Sequence, residues 1–156
     1  SDPETFHIPL MVRHPQGLAA GTRCDAFVQA HDIAPTVLEA TGVPAPQPME
    51  GSSFWKTAFE GGESIRKHVT VGWGGSLTVI DDKRWFNCKV DGTGALLYPV
   101  QRGHDQPSVA HEHPELVRQM FRIGKADAGG SFPDYLLERA ASLPDLPGSA
   151  SFNADA

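Results

Sequence analysis

The sequence predicts an α/β chain, in detail an α+β fragment: one strand and one helix of a larger α/β layer, then a small antiparallel sheet with a packing helix. Three observations predict it. Ile8-Pro9-Leu10-Met11-Val12 is a short, nearly continuous apolar run ended by Arg13 and His14-Pro15, which suits a strand buried on both faces of a parallel sheet. Apolar residues then recur at helical spacing between Ile33 and Thr41. From His68 onward the period changes from helical to alternating, and turn residues separate the segments, as in an antiparallel sheet.

Taken in order, Pro9 lacks a donor and belongs at the start or edge of its strand. Residues 16–21 read as a loop. Asp32 can cap a helix that carries Ile33, Ala34, Val37, Leu38 and Thr41 on one face. Pro35 falls in the first turn, where a missing N–H costs little. Gly42 supplies a left-handed stop and Pro44 prevents continuation. Residues 43–51, with Pro44, Pro46 and Pro48, read as an extended linker. Segments 68–73, 77–80 and 84–90 alternate, with Phe86, Cys88 and Val90 on one face and Trp85, Asn87 and Lys89 on the wetter one. Asp81-Asp82-Lys83 is turn-like, and Asp91-Gly92-Thr93-Gly94 is a hairpin signal before Ala95-Leu96-Leu97-Tyr98. Pro114 begins a helix with Leu116, Val117, Met120 and Phe121 on one stripe, closed by Gly124. Ser131, with Asp134, caps another that carries Phe132, Leu136, Ala140 and Leu143. Residues 144–156 are small and polar, and they read as frayed.

Composition narrows the function classes. The 156 residues include 13 basic and 19 acidic side chains, for a net charge of −6. Such a chain has no electrostatic reason to attract a phosphate backbone, and no basic stripe with interleaved aromatics occurs, which argues against nucleic acid as a partner. No apolar run approaches the roughly 20 residues that span a bilayer, and no charged n-region precedes an apolar h-region. Cys24 and Cys88 are the only cysteines. They read as two buried thiols, with a disulfide as the alternative.

Several rigid punctuators recur in a fixed order: His7-Ile8-Pro9-Leu10, His14-Pro15, Asp32-Ile33-Ala34-Pro35-Thr36-Val37-Leu38 with Gly42-Val43-Pro44, and Gly51-Ser52-Ser53-Phe54. Further on come Lys83-Arg84-Trp85-Phe86, Gly94-Ala95-Leu96-Leu97-Tyr98-Pro99 and His113-Pro114-Glu115-Leu116. This order resembles the C-terminal part of sulfatases, in the alkaline-phosphatase-like superfamily. There an "IPL" strand leads to "hxP", to "D(I/V)xPTLLxxxG(I/V)xxP", to "G.SL", and then to a strand pair and a C-terminal helix. Pro99 stands where the family often has Asp, and Arg102 to Pro107 replace its "DPxE" turn. The resemblance covers roughly residues 6 to 123.

The resemblance implies hydrolysis of a sulfuric ester by a formylglycine hydrate, made from Cys or Ser in a "C/S-x-P-x-R" motif, with a Ca or Mn ion. A tetrahedral, highly charged transition state needs a divalent cation, an activated oxygen nucleophile and fixed positive charge. Cys24 is followed by Asp25-Ala26-Phe27 and Cys88 by Lys89-Val90-Asp91, so neither lies in that motif. His31-Asp32 is not the family's Asp-His-Gly metal motif. The expectation is that the catalytic residues lie before Ser1, that this chain alone is inactive, and that no cofactor is held within it. The parent would act on a small sulfated substrate. A phosphonate or phosphate ester of the same superfamily is the nearest alternative; a non-catalytic binding or assembly module is the other.

Some residues invite a site reading. His7 directly precedes the apolar run, near the place where the family's sulfate-contacting lysine would lie, and is the substrate-proximal candidate. The competing reading is a histidine satisfied at a strand end. His104, His111 and His113, with Asp105 and Glu112, form a His-rich loop that could hold zinc, but they lack a partner pair at structural-zinc spacing and read better as a solvated loop. Asp81-Asp82 reads as a turn rather than a carboxylate pair. Gly72-Trp73-Gly74-Gly75-Ser76 lacks the Gly-Lys-Ser of a phosphate cradle.

The expected organisation is residues 1–61 as the strand–helix part of the large domain, 62–124 as the small antiparallel unit, and 125–156 as a helical extension and tail. Its expected partner is the N-terminal catalytic domain. Left alone, the chain would self-associate through residues 8–13 or leave residues 1–42 poorly packed.

Overall fold

The computed structural model describes residues 7–100 and 106–152. It contains helices and one four-stranded antiparallel sheet, the mixed α/β class that the sequence predicts. The chain divides into two compact units, one spanning residues 8–69 and the other built mainly from residues 70–156.

In the first unit, a single 3-10 turn, Ala30–Asp32, runs into α1, Ile33–Thr41. Gly42 closes α1 in the left-handed region at φ 69°, and its N–H donates to the Glu39 carbonyl. A glycine is suited to that position because it has no Cβ to clash. A short helix that the periodicity did not suggest, α2, covers Trp55–Phe59.

Two expectations are corrected here. Residues 8–12 do not form a strand: their backbone pairs with no described residue, and Ile8, Leu10, Met11 and Val12 are 70%, 44%, 90% and 50% exposed. A strand exists only through the neighbour that satisfies its N–H and C=O groups, so an apolar run by itself gives extended chain. The apolar stripe of α1 does not pack inward either. Ile33 and Val37 are exposed, whereas Asp32, Pro35 and Thr36 are buried.

The second unit holds the core. Strands β1 (His68–Trp73), β2 (Ser76–Asp81), β3 (Arg84–Lys89) and β4 (Leu96–Pro99) follow one another in space as in sequence. Gly74 and Gly75, both at positive φ, make the tight β1–β2 turn. Asp81 Oδ1 accepts from the Lys83 and Arg84 amides at 2.8 and 2.7 Å, so the acidic pair is a turn device. The predicted turn at Asp91 is also present, with Asp91 Oδ1 accepting the Thr93 N–H at 2.9 Å. Val79 lies opposite Phe86, and Phe86 opposite Leu97. These residues pack with Leu77, Cys88, Val117, Met120 and Phe121 into one cluster.

The other sheet face is not wet. Thr78, Trp85, Asn87 and Leu96 are buried too. Alternation suggested water because Asn87 is polar, but its Nδ2 donates to Thr78 Oγ1 across the strands at 2.8 Å, which satisfies it without solvent.

Helix α3 spans Pro114–Asp127 and does not stop at Gly124. A Cβ at Gly124 would stand 2.8 Å from Leu77 Cδ2 and 2.9 Å from Val79 Cγ2. The glycine is there for close helix–sheet approach, not termination. Helix α4, Asp134–Ala141, begins after Pro133, and no side chain caps it, so Ser131 is not its cap. Nor do residues 144–152 fray. Ala150 pairs with Ala95 and is buried, and Phe152 meets Phe121 edge-on at 5.4 Å. A small-residue tail read as loose because single alanines carry no periodic signal.

Candidate functional site

The densest polar arrangement in the described residues centres on Asp32. Its side chain is fully buried. One carboxylate oxygen accepts the Gln29 N–H at 2.7 Å; the other accepts the Ser52 N–H at 2.9 Å and is paired with the Arg66 guanidinium. Arg66 Nη1 donates to Gln29 Oε1 at 2.6 Å. Thr36 extends the junction, since its hydroxyl donates to the Asp32 carbonyl at 2.7 Å and accepts the Phe54 N–H at 3.0 Å. Gly51 lies so close that an added Cβ would fall 2.0 Å from the His31 carbonyl oxygen. Three stretches of chain, 29–36, 51–54 and 66, are thereby tied together.

This gives Asp32, Thr36 and Gly51 of the motif order a structural role in this chain. Asp32 does not cap the amides of α1, as the sequence suggested; it accepts donors from outside that helix. A buried carboxylate that accepts charge-assisted bonds is held in one geometry. Its acceptor capacity goes to backbone amides and one guanidinium, so the arrangement positions loops. Sequence reasoning missed Gln29 and Arg66. Arg66 lies 34 residues from its carboxylate, and no local pattern signals a lone arginine at that range.

The other candidates are dispersed. His7 is exposed. His31 Nε2 lies 3.6 Å from Asp32 Oδ1, with its ring half-exposed at the rim of the junction. His111 sits in a 3-10 turn, Ala110–Glu112, and His113 precedes α3, both exposed; His104 and Asp105 lie outside the described residues. Gly74 and Gly75 belong to the hairpin turn already described. Among the described residues no three His, Cys, Asp or Glu side chains come together as a metal site.

Both cysteines are free. Cys24 is exposed, not buried, while Cys88 is buried in the second unit. Burial raises the Cys88 pKa well above its ordinary value, and Asp91 raises it further. The thiolate is the reactive form, so Cys88 should be inert. An aromatic disulfide reagent at neutral pH is expected to titrate Cys24 promptly and Cys88 only after unfolding. Two fast equivalents from the native chain would contradict the burial.

Comparison with known proteins bears on these same segments. Residues 2–73 match the family model described as N-sulphoglucosamine sulphohydrolase, C-terminal. That stretch contains the whole Asp32 junction. Over those residues the chain is similar to the C-terminal part of a sulfatase. Human arylsulfatase K is 25% identical over 142 residues, covering 90% of this chain; the chain spans 23% of that relative's length. Two solved structures align with TM-scores of 0.46 at 18% identity. One, a 2-O GAG sulfatase, covers 67% of this chain and 28% of its own. The other, a putative sulfatase from Bacteroides thetaiotaomicron, covers 79% and 31%.

The divalent ion and formylglycine of the sulfatase reaction do not fit the residues described here. Among the described residues no three acidic, imidazole or thiol donors come together, Cys88 is buried, and neither cysteine lies in the modification motif.

Proposed function

We propose that this sulfatase-family portion serves a sulfuric ester hydrolase as scaffold, not as its source of nucleophile or metal ligands. The observation that carries it is the Asp32 junction: the motif residues shared with sulfatases are spent on tying loops together. The exposed apolar residues support it as well. Ile8, Leu10, Val12, Ile33 and Val37 form surface that water disfavours. We assign it to the remainder of the protein, the catalytic part, which would supply the cation and the formylglycine and bind a small sulfated substrate. On this reading His7, just ahead of the apolar run, lies toward that substrate.

The test compares the 156-residue chain with the polypeptide that includes its upstream coding sequence. The short chain is expected to leave an aryl sulfate intact, while the longer one hydrolyses it and protects the amides of Leu10, Val12 and Val37 from hydrogen exchange. Turnover by the short chain would overturn the scaffold reading. A longer protein that cleaves a phosphonate ester but no sulfate ester would overturn the choice of ester.

A further inference from the structure

Residues 12–22 fold around a recess of about 340 Å³ in the first unit. Three tight turns follow one another along this stretch. The Gly17, Ala20 and Thr22 N–H groups donate to the His14, Gly17 and Ala19 carbonyls at 3.0, 3.2 and 3.2 Å. Every second residue takes a positive φ: Gly17, Ala19 and Gly21 lie at 72°, 52° and 75°, while Leu18 and Ala20 between them do not. Ala19 is the one non-glycine at positive φ among the described residues. A Cβ disfavours that conformation, so the surrounding turns impose it. Alternation of this kind turns successive N–H groups toward one side, which is how backbone concavities take anions. The Leu18, Ala19 and Gly21 N–H groups donate to no described residue.

Two side chains add to the recess. Arg13 lines it, exposed and in no hydrogen bond or ion pair with a described residue. His14 lines it too, with its ring packed on Trp55 and Phe59 at centroid distances of 5.3 and 5.2 Å. His14 Nδ1 accepts the Gln16 N–H at 3.1 Å, so the neutral ring keeps its proton on Nε2 as a further donor. No residue lining the recess is acidic. In a chain of net charge −6 this gathering of donors around a cation is a local feature, not a reflection of overall charge.

We propose that the 12–22 recess binds an oxyanion, a sulfate or phosphate group, through the Arg13 guanidinium, His14 Nε2–H and the unbonded loop amides. A guanidinium presents paired N–H donors that match two oxygens of such a group, and charge-assisted bonds are the stronger kind. Apart from His14 the lining residues are exposed, so the recess admits the group either as a free ion or as part of an ester. Oxyanion binding here requires no particular ester chemistry of the whole protein.

The test titrates sodium sulfate, sodium phosphate and phenyl sulfate at neutral pH into the isotope-labelled 156-residue chain, with sodium chloride at matched ionic strength as control. Expected are saturating amide shifts at Leu18, Ala19 and Gly21, with a Kd of about 1 mM for sulfate or phosphate. Arg13→Gln should weaken binding about tenfold or more, and Arg13→Lys should restore part of it. Neither change threatens the fold, because Arg13 is exposed. Phenyl sulfate binding as tightly as sulfate supports the site and assigns it an ester-borne group; binding of the inorganic ions alone supports it as a site for the free ion. Shifts no larger than those in chloride, or equal affinity in Arg13→Gln, overturn it.

Discussion

Replacing Asp32 with alanine is expected to destabilise residues 29–66 by about 3–5 kcal/mol, the range for removing one partner of a buried ion pair. The carboxylate accepts from two backbone amides and pairs with Arg66, whose side chain is 19% exposed. Its loss leaves a guanidinium and two N–H groups without their acceptor in a site that water reaches poorly. The substitution Asp32→Asn keeps the shape but loses the charge, and its effect should fall between those of the parent and the alanine variant. Thr36→Val removes one hydroxyl that both donates and accepts, so about 1–3 kcal/mol is expected. Hydrogen exchange at Ser52 and Phe54, joined to a urea titration, measures all three. An Asp32→Ala protein within about 0.5 kcal/mol of the parent would show that the junction is incidental.

Phe86→Ala is expected to have a comparable effect on the other unit. Phe86 is fully buried at the centre of β3, opposite both Val79 and Leu97. Truncating such a ring removes its transfer free energy and leaves a cavity, typically about 3–5 kcal/mol. The amides of Leu97 and Val117 should then lose protection, and the urea midpoint should drop without a change in slope. A loss under about 1 kcal/mol would mean that the core collapses around the missing ring, contrary to its packing.

Much was legible in the sequence where the signal is local. Gly42 and Pro44 bound α1 because glycine tolerates a left-handed φ and proline lacks a donor. The turns at Asp81 and Asp91 followed from short side chains that bond their own backbone. Alternation marked the strands, because side chains in extended chain point to opposite faces. The ordered punctuators between His7 and Phe54 identified the sulfatase resemblance.

The misreadings share one cause: each depends on a neighbour distant in sequence. Whether residues 8–12 form a strand is decided by a partner strand, and none of the described residues provides one. Gly124 reads as a helix stop until Leu77 and Val79 are seen against it. Residues 144–152 read as a loose tail until Ala95 and Lys89 are seen to hold them. Asp32 reads as a helix cap, yet only the tertiary structure brings Ser52 and Arg66 to its carboxylate. Backbone conformation follows from steric and hydrogen-bonding preferences of adjacent residues, so the sequence by itself determined turns, caps and strand periodicity. Burial and the pairing of charge are settled between distant segments, and only the fold decided those.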